Sequence, residues 1–436
     1  MERRIVKAAF CWAILLGSLT LGGCVFDYNL SCESSDDCAD GWYCGPTKEC
    51  LEAANPCVIY VDGRVASSGD GLSWEGALKT VQEGMATVEE ALHAAKSCEV
   101  WVAEGQYHVY RSSRLDAIRL VSKVGLYGGF SGRETSRDDR DYRTHMTVLD
   151  GRSASGKEQV YHVLKGMDSA VIDGFVITGG LADAADPHNV GGGIYNDRQS
   201  PTVTNCIITS NRAEIGGGMY NIDSSPIITN SSFSKNSAST KGGGMYNGEG
   251  SSPRITNCVF DSNSAVEGGA VYHVNKSSPP FKNCAFTANT AERGGAVFST
   301  ENSSPLFRNA TFYGNSAGSG AGIYSAGGSP SVANSILWGN VPDGIADVTS
   351  TMNVLYSDVQ GWSIGLANIS QDPLFANPGD RDVHLKAGSP CIDRANGDLA
   401  LSTDLDGSYR YDDPSTPNTG SGNPTYADMG AYEYRP

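Results

Sequence analysis

The stretch GGGMYNGEGSSPRITNCVFDSNSAVE, residues 242–267, is one unit of a repeat that occurs six times in this 436-residue chain. The repeats open at Gly191, Gly216, Gly242, Gly268, Gly294 and Gly320, in steps of 25, 26, 26, 26 and 26 residues. Self-similarity at a fixed period of this length is typical of solenoid proteins. The period therefore decides the fold class before any other feature.

Each repeat has the same internal order of residue types. In the quoted unit, Pro253 is followed by Asn257, then by the large apolar Phe260, and Asn263 closes the unit. Short runs that alternate apolar and polar residues, separated by Gly, Ser and Pro, predict strands rather than helices. Three short strands per 26 residues predict one coil of a parallel β-helix, since propeller blades need about 40 residues. Successive coils should stack about 4.8 Å apart.

Stacking explains the residues that recur from coil to coil. One predicted apolar column contains Ile194, Met219, Met245, Val271, Val297 and Ile323, and a second contains Val203, Ile228, Ile255, Phe281, Phe307 and Val332. Two asparagine columns suit turns, because asparagine tolerates left-handed backbone and its amide can bond to the next coil. We therefore expect most repeated residues to be structural.

Several motifs resemble secreted bacterial β-helix proteins. FTAN at Phe286 followed by GGAV at Gly294 resembles the repeat of chlamydial polymorphic outer membrane proteins. VWVAEGQYH from Val100 resembles early coils of pectin-lyase-like proteins, and DMGAYEY from Asp428 resembles their closing segment. The resemblance spans residues 57–434 and implies an all-β, right-handed parallel β-helix.

The N-terminus has the features of a secretion signal. Three basic residues precede an apolar run over residues 8–21, which is too short to span a bilayer. The run ends in Leu21-Gly22-Gly23-Cys24, which looks like a lipobox. We predict that residues 1–23 are removed and that Cys24 carries a lipid anchor in the cell envelope, at the outer membrane or cell surface. The alternative is an ordinary signal peptide with a chance cysteine.

Four cysteines follow the predicted anchor at a spacing of six positions: Cys32, Cys38, Cys44 and Cys50. In an exported segment with almost no apolar residues, they predict a two-disulfide stalk over residues 24–56 of unknown connectivity. A zinc site is the alternative, but histidines and CxxC pairs are absent from this stretch.

Cys57 and Cys98 bracket a predicted capping helix and are candidates for a further disulfide. Ser73 and Thr87 are plausible helix N-caps, and Thr87 with Glu90 fits a capping box. The helix should cover the open end of the solenoid. A third set, Cys206, Cys258 and Cys284, occupies one repeat position and predicts small, buried, free thiols.

Composition and motifs argue against several functions. The net charge is −17, or −17 − 2 = −19 after removal of residues 1–23, which disfavours nucleic acid as a partner. An acidic column of Asp223, Glu249 and Glu301 predicts either a solvated turn or a calcium site. The dense charges from Ser136 and the Asp404-x-Asp406-Gly407 motif are better explained as structural. The histidines show no pair at metal-ligand spacing, so we predict no catalytic residue, no metal and no cofactor.

One column remains without a structural task. It consists of Tyr195, Tyr220, Tyr246, Tyr272, Phe298 and Tyr324, and strand alternation should point it outward. Outward rings suit sugar faces or a partner protein. The alternative is that the rings stack on one another or lie beneath a loop such as residues 181–190.

We therefore expect five regions: a signal peptide (1–23), a stalk (24–56), an N-terminal cap with early coils (57–190), regular repeats (191–340) and last coils with a C-terminal cap (341–436). The favoured function is a surface-anchored, non-enzymatic binding or adhesion module for a glycan or a surface protein. The alternatives are a polysaccharide lyase or glycoside hydrolase of β-helix type, and a purely structural envelope component.

Overall fold

A computed structural model describes residues 42–44, 50–52, 57–92, 97–348 and 351–436. These residues form a parallel β-solenoid of about ten turns with roughly 26 residues per turn. Cys24, Cys32 and Cys38 lie outside the described residues. In the predicted stalk, Trp42–Cys44 pairs antiparallel with Cys50–Glu52, which places Cys44 opposite Cys50.

The first face of the solenoid, face A, is a nine-stranded parallel sheet. Its strands are Ile118–Arg119, Leu164–Lys165, Ile194–Asp197, Met219–Ile222, Met245–Gly248, Val271–His273, Val297–Thr300, Ile323–Ala326 and Ile345–Asp347. Equivalent residues of successive repeats pair directly, as Tyr220 does with Tyr246.

The other two faces form one 19-stranded sheet that bends along its length. Face B contains Cys57–Val61, Cys98–Ala103, Val124–Phe130, Val171–Asp173, Thr202–Thr204, Ile227–Thr229, Arg254–Thr256, Ser331–Ala333 and Asn353–Leu355. Face C contains Gly105–His108, Thr147–Asp150, Phe175–Thr178, Ile207–Thr209, Ser232–Ser234, Val259–Asp261, Ile336–Trp338 and Asp358–Val359. The longer strands Pro280–Thr287 and Leu306–Tyr313 run through both faces.

The bend between faces B and C is made by the first asparagine column. Asn205, Asn230, Asn257, Asn283, Asn309 and Asn334 all have φ between 48° and 54°. Asparagine tolerates this left-handed backbone better than most residues. The sequence-based expectation for this column is confirmed.

The second asparagine column forms a continuous amide ladder inside the solenoid. Asn263 is fully buried, and its Nδ2 donates to Asn289 Oδ1 at 3.0 Å and to the Phe233 carbonyl at 2.8 Å. The same pattern runs from Asn211 to Asn340. Each amide thus satisfies polar groups of two neighbouring coils, which buried polar groups require.

The apolar columns predicted from the repeats form the core. All twelve of their residues are 0% exposed, and they join the column of Ile208, Phe233, Phe260, Phe286, Phe312 and Leu337 in one cluster. Cys206, Cys258 and Cys284 are buried and free, as predicted.

The N-terminal end is covered by the helix Val81–Ala91, and Cys57 and Cys98 form the predicted disulfide. The predicted position of the capping box is wrong, and the observed box lies two helical turns earlier. Thr80 is the N-cap, and Glu83 completes the box, because the core-facing positions start at Val81. The Ser73 hydroxyl instead accepts the Gly76 amide within a turn.

Within the described residues, two further small sheets and three short 3₁₀ helices lie outside the main faces. Leu181–Ala182, Arg212–Ile215 and Ser237–Lys241 form a parallel sheet, and Phe375–Asn377 pairs antiparallel with Asp382–Leu385. The 3₁₀ helices are Arg137–Asp139, Pro378–Asp380 and Gly397–Leu399. Among the described residues, no helix has the length and apolar character needed to cross a membrane.

The closing segment, residues 372–436, does more than extend the coil stack. It folds back along the outside of the solenoid at the B–C bend. Asn283 Nδ2 donates to the Thr403 carbonyl at 2.7 Å, and Asn309 Nδ2 donates to the Asp428 carbonyl at 3.0 Å. The left-handed asparagines therefore have a second task, because they dock this segment.

Candidate binding site

The docked closing segment leaves a groove of about 550 Å³ on the outside of the B–C bend. Its floor contains Ile207, Ser232 and Val259, which project outward from three consecutive strands of face C. Asn205, Asn230 and Asn257 line the adjoining bend. At about 4.8 Å per coil, this floor extends about 10 Å along the solenoid axis.

One end of the groove is built by the loop over residues 131–146. This loop contributes Tyr142, Arg143 and Met146 to the lining. The Tyr142 hydroxyl donates to Asn205 Oδ1 at 3.2 Å, and Asn205 Nδ2 donates to Asp173 Oδ1 at 2.8 Å. The Tyr142 ring is thus held against the bend.

A buried ion pair supports this end of the groove. Arg140 lies 2.6 Å from Asp173, and both side chains are about nine-tenths buried. Arg137 of the same loop pairs with Glu99 at 2.5 Å. The arginines in the run of dense charges from Ser136 thus pair with acids of neighbouring coils rather than with Asp138 and Asp139. We ascribe a structural role to these pairs.

The closing segment builds the other end of the groove with Leu405, Asp406, Gly407 and Tyr432. Behind this wall, His384 Nε2 contacts Asp406 Oδ2 at 2.8 Å, and its Nδ1 contacts Asp382 Oδ1 at 2.5 Å. Burial lowers the pKa of His384, but the carboxylates of Asp406 and Asp382 outweigh burial and leave the pKa raised.

Two further contacts fix the same wall. The His384 ring lies against the Tyr432 ring, with centroids 3.9 Å apart. The Asp404 carboxylate accepts the amides of Ser408 and Glu433 and holds the turn that carries Asp406 and Gly407. The Asp404-x-Asp406-Gly407 motif thus shapes the groove wall.

The groove lining combines apolar and polar groups and is nearly neutral in charge. Aromatic and aliphatic side chains alternate with amides and hydroxyls, and Arg143 and Asp406 are the charged residues of the lining. Such a surface offers flat apolar contacts and hydrogen-bond groups together.

The tyrosine column lies on the outside of face A, but its central rings are not available to a ligand. Tyr272 and Phe298 are 3% and 4% exposed, and the remaining rings are half-buried. Neighbouring rings stack nearly parallel at centroid distances of 4.9–5.9 Å. Lys241 lies over Tyr272, and Arg293 lies over Phe298. The rings stack on one another, which is the alternative that the sequence left open, and neighbouring rings and long basic side chains cover Tyr272 and Phe298. Use of the column as a binding surface stays a prediction.

Two histidines lie against Tyr195, the first ring of this column. Their spacing in the sequence did not predict that they meet. His162 Nε2 lies 3.4 Å from His188 Nδ1, and the His162 ring lies 4.9 Å from the Tyr195 ring. Burial lowers the pKa of His162 to about 4. These histidines meet because residues 181–190 fold over the start of face A, so only the tertiary structure shows the pair.

The acidic column lies in a line of left-handed turns. Asp223, Glu249 and Glu301 have φ of 47°, 50° and 51°, and Glu249 accepts a bond from Asn275 at 2.6 Å. Within the described ranges, no group of three or more His, Cys, Asp or Glu side chains is arranged to hold a metal ion. The two interpretations of this column, a solvated turn or a calcium site, both stay open.

The comparison with protein families agrees with the observed fold. Residues 192–358 match the family described as a right handed beta helix region. No curated protein matches the sequence. The chain is similar to a solved structure titled "Crystal structure of pectate lyase Pel9A", with a TM-score of 0.47 and 14% sequence identity. The similarity covers 87% of this chain and 96% of that chain.

The protein is thus a right-handed parallel β-helix. A likeness this distant carries no information on what the chain binds or whether it catalyses a reaction.

Proposed function

We propose that this protein is a surface-anchored binding module that holds a short stretch of neutral polysaccharide in the groove at the B–C bend. The observation that carries the proposal is the lining itself. Tyr142 and Tyr432 stand at opposite ends, and amides of three coils lie between them. Aromatic faces and amide groups are the surfaces that recognise sugar rings and their hydroxyls.

The charge of the lining favours a neutral ligand over an acidic one. Arg143 is the basic residue of the lining, and Asp406 opposes it with a negative charge. The whole chain carries −17, so a polyanion would be repelled at long range. A uronate polymer would need several converging cations to overcome this repulsion.

Regular spacing also supports an extended polymer. The bend presents one left-handed asparagine per coil, and the side chain of Asn257 donates to that of Asn230 at 3.2 Å. A ligand lying along the axis would meet the same groups at each step of about 4.8 Å. Repetition of this kind matches a repeating ligand better than a single small molecule.

The predicted lipid at Cys24 would place this groove at the cell surface. A lipid-anchored solenoid that binds glycan would act in adhesion or in retention of polysaccharide. The alternative hypotheses are a polysaccharide lyase or glycoside hydrolase and a purely structural envelope component.

The test is a glycan-array screen of the purified protein, with Ser232→Phe as the variant. Ser232 points outward between Ile207 and Val259, so a phenyl ring there should fill the groove floor without disturbing the core. Ile227→Phe is the matched control, since Ile227 is 43% exposed on face B of the same coil. We expect neutral glycans to bind the wild type and the control but not Ser232→Phe.

Four outcomes would contradict the proposal. Equal binding by Ser232→Phe would move the site elsewhere, and loss of binding in Tyr220→Ala alone would place it at the tyrosine column. Release of unsaturated uronate or of reducing ends from a bound polymer would favour the enzyme. Absence of any glycan binding would favour the structural reading.

A further inference from the structure

Asp393, in the closing segment, has a buried carboxylate that bonds to nothing. The residue is 0% exposed, and neither Oδ1 nor Oδ2 has a hydrogen-bond partner. Its backbone is firmly held, because its amide donates to Asp428 Oδ1 at 2.7 Å and its carbonyl accepts the amides of Thr419 and Gly420. A buried carboxylate whose two oxygens have no hydrogen-bond donor is strongly unfavourable. Each such group in a folded protein needs an explanation.

The neighbouring carboxylates already have donors of their own. Asp428 accepts the amides of Asp393 and Tyr434. Glu433 pairs with Arg410 at 2.6 Å in a buried ion pair. Arg410 is therefore committed to Glu433 and does not neutralise Asp393.

The turn opposite Asp393 adds further negative charge. Asp412 is exposed, and the Asp413 carboxylate is occupied by the hydroxyls of Ser415 and Thr416. The Asp413 amide faces the Asp393 carboxylate but lies outside hydrogen-bond geometry. Burial, followed by the charges of these neighbours, raises the pKa of Asp393 to about 7.

A cation is the single partner that corrects both the unpaired oxygens and the excess charge, whereas a proton and a water would have to act together. A proton would neutralise the charge but leave the second oxygen without a donor, and a water would leave the excess negative charge. A cation satisfies both oxygens and the acidic surroundings at once.

We propose that Asp393 anchors a divalent cation of the calcium class, which locks the closing segment in place. Calcium takes six to eight oxygen ligands and accepts backbone carbonyls and water beside carboxylates. No three acidic or histidine side chains converge as a ready ligand set within the described part of the chain. Carbonyls and water would therefore complete the shell around Asp393, and exposed Asp412 marks the side from which the ion enters.

Calcium fits this site better than magnesium. Magnesium demands near-ideal octahedral geometry and gives up its water reluctantly, whereas calcium tolerates irregular sets of ligands. The ion would join the residues around 393, the turn at 412–420 and the segment near Asp428. These three stretches together hold the wall of the groove.

The experiment measures the melting temperature of the full-length protein, first treated with a chelator and then titrated with CaCl₂ or MgCl₂ at neutral pH. Asp393→Asn keeps the shape of the side chain but removes its charge. Glu249→Gln is the matched control, because Glu249 belongs to the acidic turn column, the rival cation site. Calcium should raise the melting temperature of the wild type and of Glu249→Gln, whereas Asp393→Asn should show no response.

Asp393→Asn should also melt higher than the chelated wild type, since it removes a buried unpaired charge. If Asp393→Asn does not fold, Asp412→Asn replaces it and should need more calcium to reach the same shift. No response of the wild type to calcium would overturn the proposal. An equal response in the wild type and in the variant of residue 393 or 412 would overturn it as well.

Discussion

Arg381 Nη1 donates to both carboxylate oxygens of Asp261, at 2.9 and 3.0 Å, although the two residues are 120 positions apart. Asp261 belongs to a regular repeat, and Arg381 belongs to the turn of the closing hairpin. This contact, with those of Asn283 and Asn309, holds the closing segment along the solenoid. The groove exists because that segment is docked, so the stability of docking controls the site.

The first prediction concerns the buried ion pair of that segment. Arg410→Met leaves Glu433 buried without its partner and should destabilise the closing segment by about 3–5 kcal/mol. The control Arg381→Met removes a pair in which the arginine is 44% exposed and should cost at most about 1 kcal/mol. Hydrogen exchange of residues 391–434 measures both. Equal protection in the two variants would show that the buried Arg410–Glu433 pair stabilises the closing segment no more than the exposed Arg381–Asp261 pair does.

The second prediction concerns the amide ladder. Asn263→Ala removes the donor to Phe233 and Asn289 inside the core, and it leaves buried groups of two coils unsatisfied. We expect a loss of about 2–4 kcal/mol in the free energy of unfolding, measured by urea denaturation. The control Asn257→Ala loses a half-exposed contact and should have the smaller effect. A larger effect at Asn257 would show that the ladder does not stabilise the coils.

The third prediction concerns pH. The pKa of His384 is raised on folding, so its contribution to stability is complete below the unfolded value of 6.5 and is lost as pH rises through the folded value. His384→Ala should therefore lower the melting temperature more at about pH 5.5 than at about pH 9. An NMR titration of the His384 ring should give a pKa above 6.5. A pKa at or below 6.5 would show that His384 does not pair with Asp382 and Asp406 in solution.

The fourth prediction separates stacking from binding in the tyrosine column. Tyr272 lies between Tyr246 and Phe298 and is 3% exposed, so Tyr272→Ala should cost about 3–5 kcal/mol. Tyr195→Ala, at the half-buried end, should cost less. Neither variant should change glycan affinity when assayed well below its melting temperature. A loss of affinity in a folded Tyr272→Ala protein would restore the column as a binding surface.

The fifth prediction concerns the anchor. If Cys24 carries the predicted lipid on its thiol, Cys24→Ser should move the protein from the membrane fraction to the soluble fraction. Fractionation and intact mass of the mature protein measure this directly. A wild-type protein without added lipid mass would favour the ordinary signal peptide. Binding in the groove should be the same with and without the anchor, since the residues that line the groove lie between Tyr142 and Tyr432 in the chain.

The repeats made much of the fold predictable. The columns of Met245, Ile255 and Asn263 could be listed from the sequence because a coil contacts mainly the coils before and after it, at a constant period. A residue type that recurs every 26 positions therefore reports a stack. The disulfide between Cys57 and Cys98 could be predicted because the two cysteines bracket the capping helix.

Features built by the irregular segments could not be predicted in the same way. His162 and His188 meet, and Asp406 and Tyr142 face one groove, through loops that do not share the period. The Thr-x-x-Glu pattern occurs at both Thr80 and Thr87. The helix begins after Thr80 because Val81 packs against the core.

The sequence by itself determined the solenoid, its core columns and its asparagine turns, because stacking depends on neighbours at a fixed distance along the chain. The tertiary structure alone decided which surface is open. It covered Tyr272 and Phe298, built the groove at the B–C bend and left Asp393 without a partner. These outcomes depend on how residues 131–146 and 372–436 dock against the solenoid, and docking is set by shape and by hydrogen bonds between residues far apart in sequence.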